Sequence, residues 1–136
     1  MASTSFIDKT TLLLKKNLDL RQERQQIIAS NIANAQTPCY KAKRLEFQDE
    51  LRQAVEGDGV GLTVTNSRHI SASGGPLATV HGKITEVNGV AGIGDGNTVD
   101  VDQEMILLAK NQLMYEASVQ LLNKKMGIVK YVVQGN

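Results

Sequence analysis

The chain has 136 residues, a formal net charge of +1, two phenylalanines, three tyrosines, no tryptophan and one cysteine, Cys39. That length allows one domain with a modest core. The charge balance gives no electrostatic ground for binding nucleic acid or an anionic membrane, and a lone cysteine excludes an internal disulfide. No apolar run is long enough to span a bilayer, so direct membrane insertion is not expected. Near the N-terminus Leu12–Leu14 gives way to Lys15 and Lys16 too soon for a secretory signal.

From about Ser5 to Asn34 the spacing predicts a helix. Leu13, Leu20 and Ile27 repeat every seven residues, Ile7, Leu14 and Ile28 run beside them, and Leu18 and Ile32 fill the same side. The stripe thins at Arg21-Gln22-Glu23-Arg24-Gln25-Gln26, which reads either as a solvated turn or as a surface that hydrogen-bonds neighbouring copies. Asn34 suits a helix end, and Pro38 pushes Thr37 out of the helical region. Thr37-Pro38-Cys39-Tyr40 therefore reads as a β-turn with proline second. Phe47, Leu51 and Val55 recur every four residues and predict a short amphipathic helix within Arg44–Glu56.

The next stretch changes character, because ten of the twelve glycines lie between Gly57 and Gly96. Leu62–Thr65 and Leu77–Val80 suggest short strands, and Gly89–Asn97 reads as loop. The segment is either a small β-rich flap or partly unordered in the free protein.

Asp100–Val133 is the strongest element. Met105, Leu108, Gln112, Tyr115, Val119, Leu122, Met126, Val129 and Val133 alternate spacings of three and four, and only Gln112 is polar. This is a heptad seam on one helix, and Leu107, Met114, Leu121 and Ile128 widen it. Asp100 with Gln103 makes a variant capping box. Asp102 and Glu104 complement the positive end of the helix dipole, and Lys124, Lys125 and Lys130 the negative end. At ~1.5 Å per residue the helix is roughly 50 Å long, and so long a face needs a partner helix. Gly127 and the β-branched Ile128, Val129, Val132 and Val133 weaken its last turns, which packing must then order. The expected fold class is mainly α: two long terminal helices form a coiled-coil-like bundle, with a Gly-rich β or irregular segment between them. The single domain divides into residues 1–35, 36–56, 57–99 and 100–133.

Two segments carry a family resemblance. Asn31-Ile32-Ala33-Asn34-Ala35, followed by Thr37-Pro38 and Tyr40-Lys41, resembles the motif of flagellar rod, hook and hook-associated proteins. Gly96-Asn97-Thr98-Val99-Asp100-Val101-Asp102, then Glu104-Met105, running into Asn111-Gln112-Leu113 and Tyr115, is similar to a second motif of that family. Leu62–Ile70, with Thr65 and Arg68-His69-Ile70, looks like the middle of its proximal-rod members. The family usually has glycine where this chain has Cys39. A type II turn needs positive φ at its third residue, so cysteine either favours a type I turn here or takes the type II form with strain of ~1 kcal/mol or more.

The resemblance implies a structural subunit of the flagellar rod, the drive shaft crossing the periplasm, with terminal helices packed concentrically in a tube. It implies as partners copies of the chain itself, the other rod proteins FlgC, FlgF, FlgG and FliE, and the flagellar type III export apparatus. Export would be of the unfolded chain, without a cleaved signal. Phe47-Gln48-Asp49-Glu50-Leu51 matches the Phe-x-x-x-apolar gate-recognition pattern of early export substrates, with Phe6 and Ile7 as the short apolar element near the N-terminus. A local packing contact explains Phe47 and Leu51 equally well. No cofactor is implied.

Other functional classes have weaker support. His69 and His81, twelve residues apart, have no acid or thiol arranged beside them as a triad or ligand set. Asp95–Asp100 resembles a calcium loop but has Val99 and Asp100 where the fifth oxygen ligand and the glycine belong. Gly92, Gly94 and Gly96 precede an acidic helix start that would repel phosphate. The heptads by themselves also permit a coiled-coil adaptor with no flagellar role.

Overall fold

A computed structural model of the chain describes residues 8–56, 75–89 and 94–135. Within them lie α1 (Lys9–Ala33), β1 (Lys43–Glu46), α2 (Gln48–Glu56), α3 (Gly75–Ala78), β2 (Lys83–Glu86) and α4 (Val101–Gln134). Phe6, Ile7, the Leu62–Ile70 stretch with its expected strand and His69, and Gly92 lie outside the described residues.

Both long helices start on an aspartate. Asp8 Oδ1 accepts from the Thr11 N–H (2.9 Å), and Asp100 Oδ1 accepts from the Gln103 N–H (3.1 Å). α1 ends at Asn34, whose N–H reaches the carbonyls of Ser30 and Asn31. α4 ends on Gly135 in the left-handed conformation, φ 67°. The two helices pack antiparallel, with the end of α1 beside the start of α4. The mainly α plan with an irregular, partly β middle is the one observed.

Two sequence expectations need correction. Lys43–Glu46 is a strand, and the helix expected from Arg44 starts at Gln48. Leu45 and Phe47, two apart, are both buried under α1, and only an extended chain puts such a pair on one side. Leu77–Val80 is not a strand: Leu77 and Ala78 finish the single turn of α3, which Gly75-Pro76 favours as a helix start. β1 pairs antiparallel with β2, Leu45 opposite Ile84, and the Val87 N–H extends the ladder to the Ala42 carbonyl (2.8 Å). A Cβ on Gly82 would collide with the buried Leu45 side chain, which would have to shift to admit it.

The core is small. Leu20, Leu45, Phe47 and Val80 form its centre, with Ile27, Leu51 and Ala54 packed around them. Seven apolar residues are buried among the described residues, against twelve large ones left exposed, and eleven of those twelve are on α4. The described residues therefore leave more apolar surface exposed than a lone soluble domain needs.

Cys39 takes the left-handed conformation, φ 60°, so the turn keeps the form expected of a glycine. Tyr40 N–H closes it on the Thr37 carbonyl (3.3 Å), and Cys39 N–H is held by the Asp95 carbonyl (3.0 Å). Cys39→Gly should relieve strain of about 1–2 kcal/mol and lose roughly half of that to the greater freedom of the unfolded chain. A net gain of about 0.5–1 kcal/mol is expected, read as a higher melting temperature than both wild type and Cys39→Ala. Equal stability of the glycine and alanine variants would show that the turn is unstrained.

Candidate functional site

The two sequence motifs, 55 or more residues apart in the chain, meet where α1 ends and α4 begins. Asn31 is wholly buried, and its carboxamide is saturated. Nδ2 donates to the Lys43 carbonyl (2.8 Å) and to Glu104 Oε2 (3.1 Å), while Oδ1 accepts from the Lys43 N–H (2.9 Å) and the Tyr40 hydroxyl (3.3 Å). The two bonds to Lys43 hold the start of β1 against α1 much as a neighbouring strand would. Glu104 is equally buried, and its Oε1 lies against the Arg44 guanidinium as a charge contact rather than an aligned hydrogen bond. A carboxylate this deep is tolerable only with such partners.

Asn97 closes the junction from the other side. Its Nδ2 sits among the carbonyls of Asn34 (2.9 Å), Ala35 (3.0 Å) and Thr37 (2.8 Å), covering groups that the end of α1 leaves without helical partners. Thr98 N–H donates to the Tyr40 carbonyl (3.0 Å), and Thr98 Oγ1 accepts from the Ala42 N–H (2.8 Å). Lys41 Nζ reaches the Gly96 carbonyl (3.4 Å), and Gly96 supplies the positive φ, 77°, that this approach needs. Thr37 Oγ1 donates to Asn34 Oδ1 (3.2 Å). Of the other motif residues, Ile32 and Val99 are half-buried, Asp100 caps α4, and Ala33, Pro38 and Met105 are exposed.

Below the junction the helices are joined by polar contacts. Asn111 Nδ2 donates to the Arg21 carbonyl (2.9 Å), Asn17 Nδ2 donates to Ser118 Oγ (2.9 Å), and Lys125 pairs with Asp8. Hydrogen bonds from Lys125 and from the Thr11 amide hold the Asp8 carboxyl at about 2, below its usual 3.8. This contact is therefore complete above the ordinary carboxylate range and lost only as pH falls through about 2.

Glu104, Asn111, Ser118 and Lys125 are seven apart and occupy one heptad position facing α1; Leu108, Tyr115, Leu122 and Val129, all half-buried, occupy the other. Of the remaining stripe residues, Val119 is half-buried, while Met105, Met126 and Val133 face solvent with Gln112. The apolar criterion passed over Glu104–Lys125; their seven-residue repeat was the signal in the sequence.

The polar run of α1 splits. Gln22, Glu23, Gln25 and Gln26 are exposed, whereas Arg21 and Arg24 turn inward. Arg24 lies over the Phe47 ring, 4.4 Å from its centroid, and grips the Leu45 carbonyl through Nε (3.1 Å) and Nη2 (2.5 Å). Burial pushes the Arg24 pKa down, and the Arg21 charge adds to that. Phe47 is 2% exposed and Leu51 packs against it, so both belong to the core of the folded chain. His81 is exposed, and Asp95 Oδ1 accepts from the Asn97 N–H (3.0 Å). No group of three potential metal ligands occurs among the described residues, and none of their helices is long and apolar enough to cross a membrane.

The family model described as flagella basal body rod protein matches residues 18–41, from mid-α1 through the turn into the junction. The flagellar basal body rod protein FlgB of Salmonella typhimurium is 35% identical over 136 residues, covering 95% of this chain and 96% of that protein. The chain belongs to this rod protein family. The FlgB of Escherichia coli is 33% identical over 96% of the chain and 97% of its own length. The Cereibacter sphaeroides FlgB is 40% identical over 87% and 88%. Membership in the rod family accounts for both motifs, which a generic coiled-coil adaptor does not.

Proposed function

We propose that the chain is a structural subunit of the flagellar basal-body rod, assembling through its terminal helices into the tube that crosses the periplasm and carries motor torque. The observation that carries this reading is α4: eleven large apolar side chains of this helix are left exposed among the described residues. In the tube they would be covered by copies of the chain and by the other rod proteins, FlgC, FlgF, FlgG and FliE among them. The motif junction fixes how α1 and α4 present these faces. The role is structural, with no reaction assigned to the chain. Passage through the flagellar type III apparatus would require the unfolded chain, the only form in which Phe47 and Leu51 could be offered as a gate-recognition segment.

Leu121, 57% exposed, tests the assembly reading because the monomer does not need it. Leu121→Asp should fold normally but place a carboxylate in an interface repeated at every subunit, costing several kcal/mol per copy. In a strain lacking the protein, this variant should reach the periplasm without restoring swimming, while the exposed-site control Lys124→Asp should restore it. Wild-type swimming with Leu121→Asp would sink the reading of this face.

A further inference from the structure

A groove bounded by α1, β1 and the first half of α4 differs from the rest of the described surface. It encloses about 310 Å³, with Arg21, Arg24, Lys43, Arg44 and Lys110 around it and Glu46 as the one carboxylate besides them in its lining. Ile28, Leu107 and Met114 contribute apolar floor and wall. Arg44 is engaged by Glu104 and Arg24 by the Leu45 carbonyl, but the exposed Lys43 and Lys110 ammonium groups have no acidic partner among the described residues. Arg21 Nε is buried without a hydrogen-bond acceptor. Burial pushes the pKa values of Arg21 and Arg24 down, because taking these cations out of water disfavours their charged form. A long groove with an apolar floor and unpaired cations along its edges fits an amphipathic helix with acids on its apolar side.

The same molecule carries such a helix face. On the side of α4 turned away from α1, Asp102, Ile106, Leu113 and Glu116 fall on one stripe, with Ile106 69% and Leu113 67% exposed. The two carboxylates are roughly 21 Å apart at ~1.5 Å per residue. The groove runs from Lys43, level with Asn31, down to Arg21, ten residues earlier in α1 and roughly 15 Å away. Polarity and charge therefore match, and the stripe overruns the groove by about one helical turn.

Building on the rod-subunit reading, we propose that this groove receives the outer stripe of α4 from a second copy. Asp102 and Glu116 then lie beside Lys43, Lys110 and Arg21, with Ile106 and Leu113 on the apolar floor. Because groove and stripe are different surfaces of one molecule, the contact is heterologous: each copy gives one and receives one, and the contacts propagate instead of closing as a two-fold dimer.

The test uses sedimentation of the purified full-length chain over a concentration series, with helix content checked by circular dichroism. Wild type should associate progressively, less so at high salt. Lys43→Glu with Lys110→Glu, and separately Asp102→Lys with Glu116→Lys, should each weaken association about tenfold or more. An equimolar mixture of the two variants should recover it, since each then meets an oppositely charged surface. Wild-type association by either variant alone, or a mixture no better than its components, overturns the groove assignment while leaving self-assembly standing. A wild type that stays monomeric at every concentration removes both.

Discussion

Replacing Asn31 by alanine is expected to cost about 3–5 kcal/mol, because one buried and two partly buried polar groups lose their partner at once. The Lys43 N–H and carbonyl and Glu104 Oε2 all bond to this one carboxamide, which has no exposed surface. A domain of this size has only about 5–15 kcal/mol of stability, so the variant should be largely unfolded at mild denaturant concentration. Asn31→Asp should be no better, since it adds a second carboxylate beside Glu104. Urea unfolding gives the measurement: the midpoint should fall while the slope stays near the wild-type value. A loss under about 1 kcal/mol would mean that water replaces the carboxamide, and the junction would not be the anchor described here.

Phe47→Ala should cost a similar amount, about 3–5 kcal/mol. It empties the centre of the Leu20, Leu45 and Val80 cluster and leaves the Arg24 guanidinium without the ring beneath it. The same variant separates packing from export when compared with Leu20→Ala, which opens the same cluster without touching the Phe47–Leu51 segment. If that segment is read by the export gate, the Phe47 variant stays in the cytoplasm while the equally destabilised Leu20 variant leaves it. Equal export of the two would reduce Phe47 to a packing residue.

Helix positions were legible because their signals are local. Asp100 with Gln103, Asn34 before Pro38, and the three-and-four spacing of α4 each act within a turn or two of chain. The turn at Cys39 was legible in place but not in type: cysteine by itself favours a type I turn, and the chain takes the positive φ of the family form. β1 was not, because Lys-Arg-Leu-Glu has neither β-branching nor clear alternation, and it is extended only because Asn31 and β2 hold it. The phase of the helix pair was half legible. Hydrophobicity finds the face a helix must cover, and in α4 much of that face looks away from the chain's own partner. The side turned to α1 is half polar, and only partners 73 to 117 residues distant make sense of Glu104, Asn111, Ser118 and Lys125.

Those contacts have a mechanical meaning. Two helices held by leucines alone can creep along each other, each methyl passing from one hollow to the next with little resistance. Here Asp8–Lys125, Asn17–Ser118, Arg21–Asn111 and Asn31–Glu104 are pins set at intervals along the pair, and axial sliding has to break bonds that the next position does not offer. Stiffness against shear thus resides in the polar groups within a subunit, and in the proposed rod adhesion would fall to the faces between subunits. A shaft built this way can tighten its joints without slackening its struts.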